Sequence, residues 1–190
     1  MRRVVLGVVL VGVIAAPVIA SSPARVLWIR NVGTGEELRL RPFRERGQLE
    51  LGAWRRLDRL FGRGGGRVRR TIHPRLVRTL AHVQSHFGGR QIELRSAYRT
   101  SDRWQWDSYH QVGRAIDFRV AGVANRELFE YCLALQRQGE PLGCGYYPHG
   151  RHVHLDVRGH RAVWVDASPG WGPPRYVSDP HDWLRRHPNG

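Results

Sequence analysis

Five consecutive residues, His152-Val153-His154-Leu155-Asp156, carry the densest chemistry in the chain. In an extended strand, side chains alternate between the two faces. His152, His154 and Asp156 then share one face, and Val153, Leu155 and Val157 share the other. Two imidazoles and a carboxylate are groups from which protein zinc sites are built. A second set lies upstream, in His110-Gln111-Val112-Gly113-Arg114-Ala115-Ile116-Asp117. There a His sits in a loop before a strand whose polar face carries an Asp. Gly113 lets the loop turn sharply, and small Ala115 leaves room beside the carboxylate. A catalytic zinc site needs three protein ligands and one open position. The metal makes water acidic enough to attack a carbonyl near neutral pH, and a base takes the proton. His110, Asp117 and His154 are the candidate ligands. Neither spacing is specific by itself, because the chain has 10 His and 16 acidic residues. The strand phase is more selective: Asp117 and His154 both fall on the polar face of a strand whose other face is apolar. The bland reading of the same residues makes Asp117 a buried carboxylate neutralised by Arg99 or Arg119, and His154 an imidazole at the core edge.

These residues need a sheet to hold them. Residues 26–30 and 37–41 flank Asn31-Val32-Gly33-Thr34-Gly35, whose Asn and Gly favour a tight turn, so a hairpin is expected. Leu51, Trp54, Leu57 and Leu60 recur at helical spacing and predict an amphipathic helix over 51–61. Residues 62–70 read as a Gly/Arg loop; Gly64-Gly65-Gly66 matches no phosphate-binding fingerprint. Pro74 opens a second helix with an apolar stripe from Leu76 to Phe87, stopped by Gly88-Gly89. His82 and His86 belong to it as surface or boundary residues rather than ligands. Residues 91–95 and 115–120 read as strands, and residues 102–109, with Trp104 and Trp106, as a loop. Asn125 is expected to cap a helix running to about residue 136. Residues 143–147 and 152–157 form a hairpin pair around Pro148-His149-Gly150, and residues 162–165 a last strand. The fold class is therefore α+β: one domain, with a small antiparallel sheet and flanking helices.

The ends divide off from this domain. Arg2 and Arg3 precede a short apolar run over 4–16, then Pro17 and the small residues Ala20-Ser21-Ser22. That layout predicts a secretory signal over 1–20. The run is short for a membrane span of about 20 apolar residues; an uncleaved anchor is the competing reading. The expected catalytic domain covers 21–168. A Pro/Gly/Trp-rich tail without period, 169–190, wraps the surface. Export allows Cys132 and Cys144 to oxidise, and two free buried thiols explain them equally well. All 31 basic residues are Arg, and the formal charge is +15. Such a surface attracts polyanions, among them the anionic polymers of a cell envelope.

The ordered set Ser96-x-Tyr98-Arg99, His110-x-x-Gly113-x-Ala115-x-Asp117, Gly145-Tyr146-Tyr147-Pro148 and Val153-His154-Leu155-Asp156 resembles the exported D-alanyl-D-alanine carboxypeptidase-type zinc peptidases. Leu27-Trp28-Ile29-Arg30 with Thr34-Gly35-Glu36 resembles the branch of that group long described only as a domain of unknown function. The resemblance runs from about Val26 to Asp156. It implies Zn2+ held by His110, Asp117 and His154, and substrates among the peptides that cross-link peptidoglycan. It also implies that Arg99 polarises the scissile carbonyl, a role an always-charged guanidinium suits. Some relatives carry a general-base Glu three residues before the last ligand; here that position is Arg151. Others place a catalytic His two residues before it, which matches His152. Asp156 then either orients a ligand His from behind or merely caps the strand end.

The expected function is thus an exported zinc metallopeptidase acting on peptidoglycan, monomeric and extracytoplasmic, cutting as a carboxypeptidase or an endopeptidase. A non-catalytic envelope-binding module on the same fold is the alternative. Nucleic acid is not an expected partner, because the export signal argues against it.

Overall fold

The computed structural model describes residues 26–62, 71–99, 108–169 and 173–188. The expected signal segment over 1–20, most of the Gly/Arg loop and the Trp104–Trp106 loop fall outside the described residues. Among the described residues, no helix is long and apolar enough to cross a membrane.

Among the described residues, seven strands build one sheet. They are β1 (Leu27–Asn31), β2 (Glu37–Leu40), β3 (Ile92–Ser96), β4 (Ala115–Val120), β5 (Leu142–Tyr147), β6 (His152–Val157) and β7 (Ala162–Val165). Their order across the sheet is β2-β1-β3-β4-β6-β5-β7. The hairpins β1–β2 and β5–β6 stand where the turn residues put them. The sheet is larger than expected and is mixed rather than antiparallel: β1 pairs parallel with β3, and β5 parallel with β7. Both parallel pairs join strands distant in sequence or separated by a third strand, and residue alternation is blind to strand direction.

Among the described residues, four α-helices accompany the sheet: α1 (Leu51–Gly62), α2 (Pro74–His86), α3 (Asn125–Arg137) and α4 (Pro180–Arg186). α3 packs on β4, β5 and β6, and α2 on β1 and β6. The apolar row of each central strand is buried: Ile116 and Phe118 on β4, Val153 and Leu155 on β6, and Leu142, Cys144 and Tyr146 on β5. This burial of a contiguous row is the main force orienting the opposite, polar face.

Several local expectations change. Leu51 is 63% exposed, and α1 instead buries Ala53, Trp54, Leu57, Leu60 and Phe61. The helix begins at Leu51, so its first residue faces solvent. Asn125 does not cap α3; Ala124 occupies that position without a side-chain hydrogen bond. His82 is buried, while the ring of His86 stacks on Tyr131 at 3.7 Å. The tail is not wholly irregular. Asp179 caps α4 by accepting from the Asp182 N–H, and Leu184 enters the core. Seven residues are too few for a helical period to show. Cys132 and Cys144 are both buried and free, and the hydrogen bond that the Cys144 thiol makes to Cys132, with burial, pushes the Cys144 thiol well up.

The N-cap of α2 is a histidine. His73 Nδ1 accepts from the Arg75 N–H at 3.2 Å, directly before Pro74. Burial, with the charges of Arg114 and Arg75, holds the His73 pKa below its ordinary value. The fold therefore favours the neutral ring, which alone can accept. His73 contributes stability above its unfolded pKa of about 6.5, and that contribution is lost as pH falls through the lower folded value. Unfolding midpoints between pH 7 and pH 5 should fall in the wild type relative to His73→Asn, whose cap does not titrate. The difference should be about 1 kcal/mol, the usual weight of a cap.

Candidate metal centre and its cavity

One cross-strand row builds the site. In the register of the sheet, Ser96 faces Asp117, Asp117 faces His154, His154 faces Gly145, and Gly145 faces Trp164. Neighbours in a row share a sheet face. The side chains of Asp117, His154 and Trp164 therefore lie on the face away from Phe118, Val153 and Tyr146. One row along, Tyr147 faces His152; on the other side, Gly143 faces Asp156.

His110 reaches this row from a 3-10 turn over Tyr109–Val112. Ser108 caps the turn by accepting from the His110 N–H at 3.3 Å. Gly113 ends it with φ +68, and a Cβ there would lie 2.7 Å from the Thr71 carbonyl oxygen. That position is closed to any side chain for both reasons.

The hydrogen bonds fix which ring nitrogens face inward. His110 Nδ1 lies 2.6 Å from the Ala97 carbonyl oxygen, which can only accept, so this nitrogen donates. His154 Nε2 lies 3.1 Å from Asp156 Oδ2 and donates likewise. His110 Nε2 and His154 Nδ1 then turn their lone pairs to one another at 3.2 Å, and both face Asp117 Oδ1, at 3.4 and 2.9 Å. Two lone pairs and an anionic oxygen at such range repel unless a proton or a cation joins them. Tetrahedral ligands bound at the usual zinc distances of about 2.0–2.1 Å stand about 3.3–3.4 Å apart. The donor set and its spacing therefore fit a zinc ion. Among the described residues, His110, Asp117 and His154 form the one His/Cys/Asp/Glu group close enough to hold a metal.

The electrostatics agree with this picture. Burial raises the Asp117 carboxyl, but His110 and His154 outweigh it and hold the pKa well below the carboxylate range. Burial lowers His154, and its hydrogen bonds to Asp117 and Asp156 more than reverse that. Asp156 is fully buried and carries a second partner: Arg158 Nε donates to Oδ1 at 2.7 Å. Arg158 lies over the rings of Tyr109 and Trp164, at 4.7 and 5.5 Å. Gly143 makes room for this ion pair, since a Cβ there would lie 2.7 Å from Arg158 Nε.

A cavity of about 520 Å³ opens over the cluster, lined in part by Arg99, His110, Tyr147, His154, Arg158 and Trp164. Arg99, just beyond β3, lies 3.7 Å from Asp117 Oδ2 and stands partly in solvent. Arg119 turns instead to Glu93, at 2.8 Å. His152 shares the sheet face of His154 but is not in the cavity lining. Its ring stacks on Tyr147 at 4.4 Å, and its Nδ1 lies 3.1 Å from the Gly150 carbonyl oxygen. Arg151 takes a left-handed turn conformation with φ +50 and is exposed. Tyr147, Arg158 and Trp164 were not legible as site residues. Their presence follows from the β5–β6–β7 register; the sequence shows the β5–β6 hairpin but not where β7 pairs.

Trp164 depends on Gly145. A Cβ at Gly145 would lie 2.5 Å from the indole Nε1. Gly145→Ala should therefore displace the indole and cost about 1–3 kcal/mol, as overpacking does. Thermal unfolding should show this as a midpoint lower by several degrees.

A family model described as peptidoglycan L,D-endopeptidase MepK matches residues 19–164. The peptidoglycan L,D-endopeptidase MepK of Escherichia coli is 30% identical over 167 residues, covering 81% of this chain and 88% of the relative. The MepK of Shigella flexneri matches to the same extent. A probable peptidoglycan L,D-endopeptidase MepK of Haemophilus influenzae is 29% identical over 157 residues, covering 73% of this chain and 78% of the relative. No solved structure matches the chain. The matched span contains His110, Asp117 and His154 together with every strand that positions them, and on that extent the chain belongs to the MepK family of D-alanyl-D-alanine carboxypeptidase-type peptidases.

Proposed function

We propose that this protein is an exported zinc peptidase that cuts peptide bonds in peptidoglycan, and that it acts as an L,D-endopeptidase. The observation that carries this reading is the convergence of His110 Nε2, His154 Nδ1 and Asp117 Oδ1 in a cavity, within a chain of the MepK family. The names of the relatives support the endopeptidase reading over the carboxypeptidase one. Residues 1–20 supply the export signal.

In this reading His110, Asp117 and His154 hold the zinc ion. The metal supplies a Lewis acid that polarises a carbonyl and makes water nucleophilic near neutral pH. The rest is done by side chains. The Ala97 carbonyl and the Asp156 carboxylate hold the two imidazoles in the tautomers that point lone pairs inward. Arg158 keeps Asp156 ionised and in place. Arg99, at the cavity wall beside Asp117, donates to the scissile carbonyl oxygen as charge develops on it. His152 takes the proton of the attacking water. Arg151, in the position where relatives carry an acid, cannot do so.

Digestion of defined cross-linked muropeptides by zinc-loaded protein, with mass analysis of the products, tests the proposal. Cleavage at an L,D bond is the expected result. Binding to sacculi with no released peptide sinks it and leaves an envelope-binding module, the reading that the exposed Arg151 favours.

A further inference from the structure

The indole N–H of Trp164 donates to the hydroxyl oxygen of Tyr147 at 3.0 Å. Indole can only donate, so the phenol oxygen is the acceptor and its own proton must go elsewhere. Among the described residues, no acceptor for that proton is present. Tyr147 lines the cavity that Arg99, His110 and His154 also line. One contact holds the Tyr147 ring directly and two hold the indole hydrogen-bonded to it. The Tyr147 ring stacks on His152 with 15° between planes. The indole that holds its oxygen packs on His154, with centroids 5.0 Å apart. Gly145 lets that indole lie flush against the sheet. A donor so held, with no acceptor among the described residues, is aimed at what enters the cavity.

We propose that Tyr147 is a catalytic residue of this site, whose hydroxyl donates a hydrogen bond to the scissile carbonyl oxygen as a second donor beside Arg99, and that Trp164 is its positioning residue. This rests on the peptidase reading above and deepens it. The phenol keeps its proton throughout, and no bond to it forms or breaks. Burial pushes the Tyr147 phenol up, and the charge of Asp117 adds to that effect, so the group remains a donor over the working range of pH. Two donors at a developing oxyanion are a recurrent device, and each acts more strongly there than on the neutral carbonyl. Trp164 supplies geometry alone: by occupying the phenol oxygen from one side, it turns the O–H outward.

Tyr147→Phe keeps the stack on His152 and removes only the hydroxyl. On a defined L,D-linked muropeptide, kcat should fall by about 100-fold, with KM within about twofold. Zinc per chain should stay at the wild-type value, and the unfolding midpoint should fall by no more than the loss of the single hydrogen bond from Trp164 accounts for. Calorimetric titration with a phosphinate analogue of the scissile peptide should show a matching loss of affinity, because the analogue carries the oxyanion. The cleaved product peptide should bind as it does to the wild type. Trp164→Phe should lose about tenfold in kcat, the weight of one neutral hydrogen bond. A Tyr147→Phe protein with kcat within threefold of an active wild type overturns the role of Tyr147 and leaves the peptidase reading standing. So does a variant that loses zinc along with activity, since its tyrosine is then structural. A zinc-loaded wild type that cleaves no muropeptide overturns both.

Discussion

His154→Ala should lose zinc and activity together. The variant removes one of three inward donors and leaves His110 and Asp117, too few to hold a catalytic metal. The Lewis acid contribution lost is several kcal/mol, so hydrolysis should fall by about a thousandfold or more. Metal analysis of the purified protein should find about one zinc per wild-type chain and almost none in the variant. Equal, negligible metal in both would overturn the metal site. Asp156→Asn makes the informative companion. It keeps all three ligands but loses the carboxylate that receives His154 Nε2–H and neutralises Arg158. A partner of that kind is worth about 10–100-fold in metal affinity. The variant should therefore still bind zinc, more weakly, and should also unfold more easily because Arg158 loses its buried counter-charge.

His152→Gln should separate proton transfer from metal binding. The side chain shares the strand face of His154, and glutamine keeps its polarity and approximate reach without a basic nitrogen. A positioned general base contributes about 10²–10⁴-fold, so kcat should fall in that range while zinc per chain is unchanged. The measurement also tests the geometry, because His152 stacks on Tyr147 and is absent from the cavity lining. If kcat survives, the base is another group, and His152 serves only to hold the tyrosine ring. A fall in kcat that accompanies an intact phosphinate affinity assigns it the proton.

Much of the site can be read from the chain alone. The alternation on residues 115–120 and 152–157 places Asp117, His152, His154 and Asp156 on polar faces, because one-sided burial fixes strand phase. Gly113 and the turn residues around Pro148 mark where the chain must bend. The ordered motifs pick out His110, Asp117 and His154, and the structure brings these three together. Helix ends were harder: His73 caps α2 although His is an unusual cap, and α4 is too short to leave a periodic trace.

What the sequence by itself determined is the phase of each strand and the chemical type of each donor, since both follow from local alternation and residue identity. Beyond the two hairpins, only the tertiary structure decided which strands lie side by side. Register is a long-range property, set by how the buried rows of β4, β5 and β6 pack beneath α2 and α3. It alone placed β7 parallel to β5, seated Trp164 over Gly145, turned the indole to Tyr147 and pointed Arg158 at Asp156. The candidate ligands were legible because a metal demands particular side chains. The wall around them was not, because a tyrosine or tryptophan in a strand serves a core as well as a cavity until its neighbours are known.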